Sequence, residues 1–419
     1  MADTALGAIQ KVRTGAEGWV VMGLCLAVWT LTNVDQSLFS YALPGILATF
    51  HLPLEAAGIV LAISFGCASA LVVGAGLFAD RYGRGLSLFL LLGASAVFVG
   101  LQGFAAGVVT LTLARALGFS LSGGLSPITN ALAAETAPDR LRGIAGGVLQ
   151  CGYPLGWLLA SLVAAPLLRE YGWRAACFAA FAVVPLAALG GLVFARRIDG
   201  GPKAVAAAPA TAPRPRLRRL FEPALRRRSL ACIAIYFLFG GAYAGSAFFF
   251  PTFFNQVRGY SPADAASLVG LSNGIAVIGY LAAAIAGEYW LRRRTVFALW
   301  SIGGAVALGG LLWFSGSRIS DLCWFSATAG LFYGAMAVMP VLTAEIFDAD
   351  IRATALAACA SAPLSLGFAV FPLAVPLVVG RLGWREGLSL TAIPLLLVAA
   401  GAALVLPNRP SGLPVDEPA

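Results

Sequence analysis

The sequence predicts an all-α membrane protein, with twelve transmembrane helices folded as two pseudo-symmetric six-helix bundles, and three observations predict it. The 419 residues have a mean hydropathy of +0.86, with 59% hydrophobic and only 11% charged residues, far below the roughly 25% charged residues of a soluble domain. Apolar runs recur twelve times, each near the ~20 residues that cross about 30 Å of hydrocarbon at 1.5 Å per residue. Landmark residues of the first half also return in the second at a nearly fixed offset.

Each span is bounded by polar or turn-forming sequence. In the first half the spans are read at about 18–47, 56–79, 86–106, 108–134, 142–168 and 175–195. Their separators are the loop around His51, the segment GLFADRYGRG, a short link at Gly107, a polar stretch from Glu135 to Arg142, and REYGWR. In the second half the spans are read at about 230–254, 263–287, 295–315, 321–346, 353–379 and 386–406. They are divided at QVRGYSP, EYWLRRR, GSRIS, FDADIR and GRLGWRE. The first apolar run is too long for the core of a cleaved signal peptide, so the first helix is expected to stay in the mature protein.

The long polar stretch from Arg196 to Ser229, with AVAAAPATAPRPR in its middle, cannot build a core and reads as a tether. The expected organisation is therefore a bundle over 1–195, a linker over 196–229, a second bundle over 230–406 and a tail over 407–419. Basic residues collect on one side: Lys11, Arg13, Arg81, Arg84, Arg140, Arg142, Arg292, Arg293, Arg294, Arg352, Arg409 and those of the linker. Arg169, Arg174, Arg258, Arg318, Arg381 and Arg385 fall on the other. Positive charge marks the cytoplasmic side, so both termini and the linker are expected there. The net charge of +9 is thus a topology signal and not the mark of a nucleic-acid binder. All seven cysteines fall inside spans without a CxxC spacing, so neither a disulfide nor a metal site is expected, and no cofactor is implied. The excess of Arg over Lys and the Ala/Gly-rich spans fit a GC-rich bacterium, and hence an inner membrane.

The repeat is specific. Ala134-Glu135 with Arg142 is answered by Ala344-Glu345 with Arg352, Gly172-Trp173-Arg174 by Gly383-Trp384-Arg385, and Gly76 with Arg81 by Gly287 with Arg292. These landmarks are shifted by 210, 211 and 211 positions. The segment from Gly76 to Gly85 resembles the signature loop of the major facilitator superfamily, Gly-x-x-x-Asp-Arg-x-Gly-Arg. With the repeated elements, the resemblance covers nearly the whole chain outside the linker and tails. It implies the major facilitator fold, a central cavity open alternately to each side, and a monomer. It also places gating at Gly76, Asp80, Arg81, Gly83 and Arg84 and at the Glu135–Arg142 and Glu345–Arg352 elements. Asp80 is suited to contacts that form in one conformation and break in the other. The second copy, GEYWLRRR, has Leu291 in its place, so gating is expected at Asp80 and not there.

Two charges stand where the bilayer makes them costly, Asp35 in the first span and Arg115 in the fourth. An ionised side chain at the bilayer centre costs about 2.5–3.5 kcal/mol on insertion scales. Both lie roughly 10–18 Å deep at 1.5 Å per residue, so they can face one cavity. One reading is a static ion pair that anchors the fold. The other gives Arg115 an anionic substrate and Asp35 the coupled proton, because a guanidinium binds carboxylate through two parallel hydrogen bonds and stays charged. Substrate on Arg115 would then favour protonation of Asp35 and couple the two fluxes.

A narrower resemblance runs through the same spans. Asn33-Val34-Asp35 to Pro44 is similar to the first-span region of anion:cation symporters, and Gly147 to Trp157 to a stretch of lactate/pyruvate and sialate proton symporters. Both groups carry organic carboxylates. Gln36 replaces an Arg of the first pattern, Ser122 stands where its fourth-span acid would lie, and the eighth span has no Asp or Arg of the kind some monocarboxylate transporters use. Gly152-Tyr153-Pro154 departs from the Gly-Pro element of drug/proton antiporters. The expected function is proton-coupled uptake of a small organic anion, a carboxylate, with an anion exchanger or a proton-coupled exporter of a metabolite or drug as the alternative. Expected substrate contacts are Arg115, Gln150, Tyr153, Asn33, Asn273 and Tyr243, with helix-to-helix bonding the alternative role for each amide or hydroxyl. An intramembrane enzyme is disfavoured, since the spans hold neither a His nor paired acids.

Overall fold

The computed structural model describes residues 16–136, 142–199, 217–347 and 351–407, and every element among them is helical. Twelve helices among the described residues are long and apolar enough to cross a membrane. The first six are α1 Gly18–Phe50, α2 Leu54–Leu71, α3 Arg84–Phe104, α4 Val108–Ala133, α5 Ile144–Glu170 and α6 Trp173–Ala195. The rest are α7 Pro223–Arg258, α8 Pro262–Trp290, α9 Arg293–Trp313, α10 Arg318–Ile346, α11 Leu356–Leu382 and α12 Trp384–Val405. Helix α2 runs on to Tyr82. Boundaries match the sequence reading to a few residues except at α7, whose helix starts at Pro223 after an extended Glu222. Its first turns carry Arg226, Arg227 and Arg228, which a reading of apolar runs leaves out. Linker residues 200–216 and tail residues 408–419 lie outside the described residues.

Prolines sit where helices restart. Pro127 and Pro154 fall in the first turns of Leu125–Thr136 and Gly152–Glu170, the second pieces of α4 and α5. In α7 and α10, 3₁₀ turns at Ala247–Phe249 and Tyr333–Ala337 precede helices that carry Pro251 and Pro340 at the start. A π-helical stretch, Leu356–Ser361, precedes Pro363 in α11. A proline has no N–H to donate, and the first turn is where that loss is harmless.

Packing repeats with the sequence. Helix α1 packs on α5, α2 on α4, and α3 on both α4 and α6; six helices later α7 packs on α11, α8 on α10, and α9 on both α10 and α12. Between the two sets, α2 meets α11 and α5 meets α8. The repeated Gly-Trp-Arg elements do the same work twice. Gly172 and Gly383 turn the chain at φ +78° and +88°, a region that favours glycine, just before α6 and α12. The indole of Trp173 then donates to Thr49 Oγ1 at 2.9 Å, at the end of α1, and that of Trp384 to Gln256 Oε1 at 3.0 Å, near the end of α7.

Small residues let helices touch. On α8, a Cβ at Gly279 would collide with the backbone of Gly330 on α10. Gly279→Ala is therefore expected to destabilise the fold by about 1–3 kcal/mol, seen as a lower melting temperature in detergent. Gly66→Ala is the control, because a Cβ there meets open space.

Candidate functional site

Helices α1, α3 and α4 bring Asp35, Ser95 and Arg115 together, and both charged residues are only 1% exposed. On α1 the hydroxyls of Thr32 and Ser37 bond back to their own helix, while the carboxylate of Asp35 turns outward to α3. Ser95 Oγ lies 2.9 Å from Asp35 Oδ2 and 2.9 Å from the carbonyl oxygen of Leu92, so its one proton has two acceptors. From α4, Arg115 Nη1 donates to the backbone carbonyl of Asp35 at 3.4 Å. The two side chains are neighbours without forming an ion pair: among the described residues no carboxylate oxygen comes within 4.0 Å of the guanidinium.

Aromatic faces surround the cation instead. The guanidinium carbon of Arg115 stands 4.5 Å from the ring centre of Phe39 and 5.0 Å from that of Phe119. Such contacts contribute about 0.5–2 kcal/mol each. Among the described residues, Nε and Nη2 of Arg115 and Oδ1 of Asp35 have no hydrogen-bond partner, and a buried group left unpaired costs about 1–3 kcal/mol, more when charged. Two adjacent guanidinium nitrogens without acceptors are what a carboxylate would satisfy.

From Phe119 a ladder of rings runs between the two halves. Phe119 packs edge-on to Phe65 at 4.7 Å, Phe65 to Phe368 at 5.0 Å and to Phe248 at 5.4 Å, and Phe368 stacks on Tyr243 at 5.8 Å. Phe65 and Phe119 come from α2 and α4, Phe248, Tyr243 and Phe368 from α7 and α11. The sequence reading missed Phe39, Phe65, Phe119, Phe248, Phe368 and Ser95. The run Phe248-Phe249-Phe250 was the one local cue to them.

Of the expected contacts, Tyr153 and Tyr243 meet. Tyr243 on α7 donates its hydroxyl proton to the hydroxyl of Tyr153 on α5, a bond that joins the halves. Gln150, one turn before Tyr153, is partly buried with Oε1 unpaired. Asn33 and Asn273 are buried, but each gives its amide to its own helix, to Trp29 O at 2.7 Å and Val269 O at 2.8 Å. Asn33 faces Gly156 of α5 in close helix contact and keeps Oδ1 unpaired.

At the end carrying the linker, α2 extends through Gly76 and Asp80 to Tyr82, and Gly83 turns the chain at φ +97° into Arg84, the first residue of α3. Arg81 is exposed, with its guanidinium 5.5 Å from the ring centre of Tyr82. The side chains of Asp80, Glu135, Arg142 and Arg352 lie outside the described residues, as does the burial of Gly76. The second copy of the loop carries ionic contacts of its own despite Leu291: Arg293 is buried and binds both Glu288 and Glu345. Contacts between the halves exist at both ends. A Cβ at Gly147 of α5 would strike Ala284 of α8 at the linker end, and one at Gly58 of α2 would strike Pro372 of α11 at the far end. There, too, Asp264 of α8 lies 3.6 Å from Arg169 of α5 and 3.3 Å from Arg318.

The chain is similar in sequence and fold to known proteins. The chain is 32% identical over 225 residues to a probable 4-methylmuconolactone transporter of Cupriavidus pinatubonensis, covering 52% of each chain. To the cis,cis-muconate transport protein of Acinetobacter baylyi it is 29% identical over 182 residues, 43% of this chain and 44% of that one. These matches thus span about half the length of either relative. The 3-(3-hydroxy-phenyl)propionate transporter of Escherichia coli is 27% identical over 406 residues, 94% of both chains. Among solved structures, a bacterial homologue of the human lysosomal transporter Spinster, inward-facing and unoccupied, superimposes with a TM-score of 0.68 over 93% of this chain and 96% of that one. At 16% identity that likeness concerns the fold alone. The profile of the Major Facilitator Superfamily matches residues 25–336, so the chain, with twelve membrane-length helices among its described residues, belongs to that superfamily and is a multi-pass membrane protein.

Proposed function

We propose that the chain takes up a small aromatic or conjugated carboxylate together with a proton across a bacterial inner membrane, by alternating access. The observation that carries this is Arg115: a buried guanidinium with two unpaired nitrogens, no carboxylate partner among the described residues, and phenyl rings on its faces. Its nitrogens suit a carboxylate, and the rings that lead away from it suit a flat π-system. The relatives named for muconate, methylmuconolactone and hydroxyphenylpropionate point to the same chemistry.

Asp35 is the proton carrier in this reading. Its carboxylate touches the one hydroxyl that serves either protonation state, since Ser95 can donate to Asp35 or to Leu92 O. The units that move are the bundles 1–195 and 230–406, joined by the linker 196–229, with both termini cytoplasmic and a monomer as the working unit. Opening toward the linker side would part Gly147 from Ala284, with Asp80, Glu135, Arg142, Glu345 and Arg352 in the gate.

Transport into proteoliposomes tests the reading. Benzoate, 4-hydroxybenzoate and cis,cis-muconate are expected to be concentrated when the outside is acid, and lactate poorly, because it cannot use the rings. If neutral benzamide enters as fast as benzoate and competes equally, Arg115 is no anion site.

A further inference from the structure

The carboxylate site has an opposite pole. Four tyrosines converge at the far end of the ring ladder, Tyr153 on α5, Tyr243 on α7, Tyr280 on α8 and Tyr333 on α10. All four are buried, Tyr243 is hydrogen-bonded to Tyr153, and α8, which carries Tyr280, packs on both α5 and the turn of α10 that carries Tyr333. The ring of Tyr243 packs 4.7 Å from Tyr333 and 5.5 Å from Tyr153.

Their hydrogen bonds are incomplete. Tyr243 gives its proton to Tyr153, which leaves the proton of Tyr153 without an acceptor among the described residues. Tyr280, 1% exposed, ends in a hydroxyl with no partner among the described residues, and Gln150 Oε1 is a spare acceptor on the same helix as Tyr153. Buried hydroxyls without partners are rare because each forfeits about 1–3 kcal/mol. Four hydroxyls and an amide supply both donors and acceptors but no cation of their own. That set fits a neutral hydroxyl, which gives and accepts at once, better than a second carboxylate. The rings of Phe119, Phe65 and Phe368 connect the Arg115 pole to Tyr243, so the two poles lie at the ends of one aromatic ladder.

We infer that the tyrosine cluster binds a hydroxyl at the end of the substrate remote from its carboxylate, so that the preferred cargo is a hydroxylated aromatic acid. Because Tyr153 and Tyr243 belong to opposite halves, a hydroxyl inserted between them would also replace their mutual bond and register occupancy across the seam. The inference rests on the carboxylate reading of Arg115 and extends it to the other end of the ring.

Competition against [14C]benzoate on the purified full-length protein in nanodiscs tests it, with unlabelled 4-hydroxybenzoate and 4-methylbenzoate as competitors. The two para groups are similar in size, so their ratio isolates hydrogen bonding. The parent is expected to favour the hydroxyl about tenfold, the value of one well-made hydrogen bond. In Tyr280→Phe the ratio should fall to near one; Tyr333→Phe tests the neighbouring hydroxyl in the same way. A parent that binds benzoate yet shows no preference overturns the inference alone, as does a ratio retained in both variants. A parent that binds none of the three acids overturns the carboxylate reading, and this inference with it.

Discussion

Arg115→Ala is expected to weaken binding of a ring carboxylate by about a hundred- to a thousandfold while leaving the protein as stable as before, or more stable. Removing one partner of a buried, hydrogen-bonded charge pair costs about 2–5 kcal/mol of binding, and every 1.4 kcal/mol is tenfold. The stability half of the prediction separates cargo site from fold anchor. An anchoring arginine would be paired, and its loss would strand a carboxylate and destabilise by about 3–5 kcal/mol. In this protein the guanidinium makes one 3.4 Å bond to a backbone carbonyl and leaves Nε and Nη2 unpaired, so its burial is a burden the fold carries. Arg115→Lys keeps the charge without the planar fork and should recover only part of the affinity. Equilibrium binding of [14C]benzoate and thermal unfolding of the same preparations supply both numbers. A variant that binds normally but melts far lower would return Arg115 to a purely structural role.

The charge itself was legible in the sequence because charge inside an apolar run is rare and conspicuous. So was the repeat: the matched Gly-Trp-Arg elements fold into matched indole bonds at Thr49 and Gln256. What could not be read was anything assembled from several helices. Phe65, Phe119, Phe248 and Phe368 are ordinary apolar residues of four different spans, and only the packing of α2 on both α4 and α11 makes them consecutive rungs. Nor does residue type say where an amide points. Asn33 and Asn273 each give one amide N–H to the carbonyl four residues back, a bond that residue type alone does not reveal. Ser95 is hidden for the converse reason, since a serine in a small-residue helix carries no mark of the carboxylate on a neighbouring helix.

The second large effect concerns Asp35, and membrane potential reads it most sharply. If each anion travels with one proton, the pair is electroneutral: a ΔpH of one unit can drive about tenfold accumulation, and an imposed voltage does nothing. In Asp35→Asn the proton has no carrier, while Arg115 still holds the anion and the amide can still meet Ser95. The variant is expected to exchange labelled for unlabelled benzoate across the membrane yet to lose all accumulation driven by ΔpH. Net movement should then carry negative charge. An inside-negative potential of 100 mV opposes that by about 2.3 kcal/mol, so the final inside-to-outside ratio should drop by about fiftyfold below equality. The parent, set by ΔpH alone, should be indifferent to the same voltage. Both ratios come from one set of liposomes loaded with potassium and treated with valinomycin. Should the asparagine variant concentrate benzoate under ΔpH as well as the parent does, the proton travels by another group; Tyr153, in electrostatic reach of Arg115 and bonded across the seam to Tyr243, would be the next to replace.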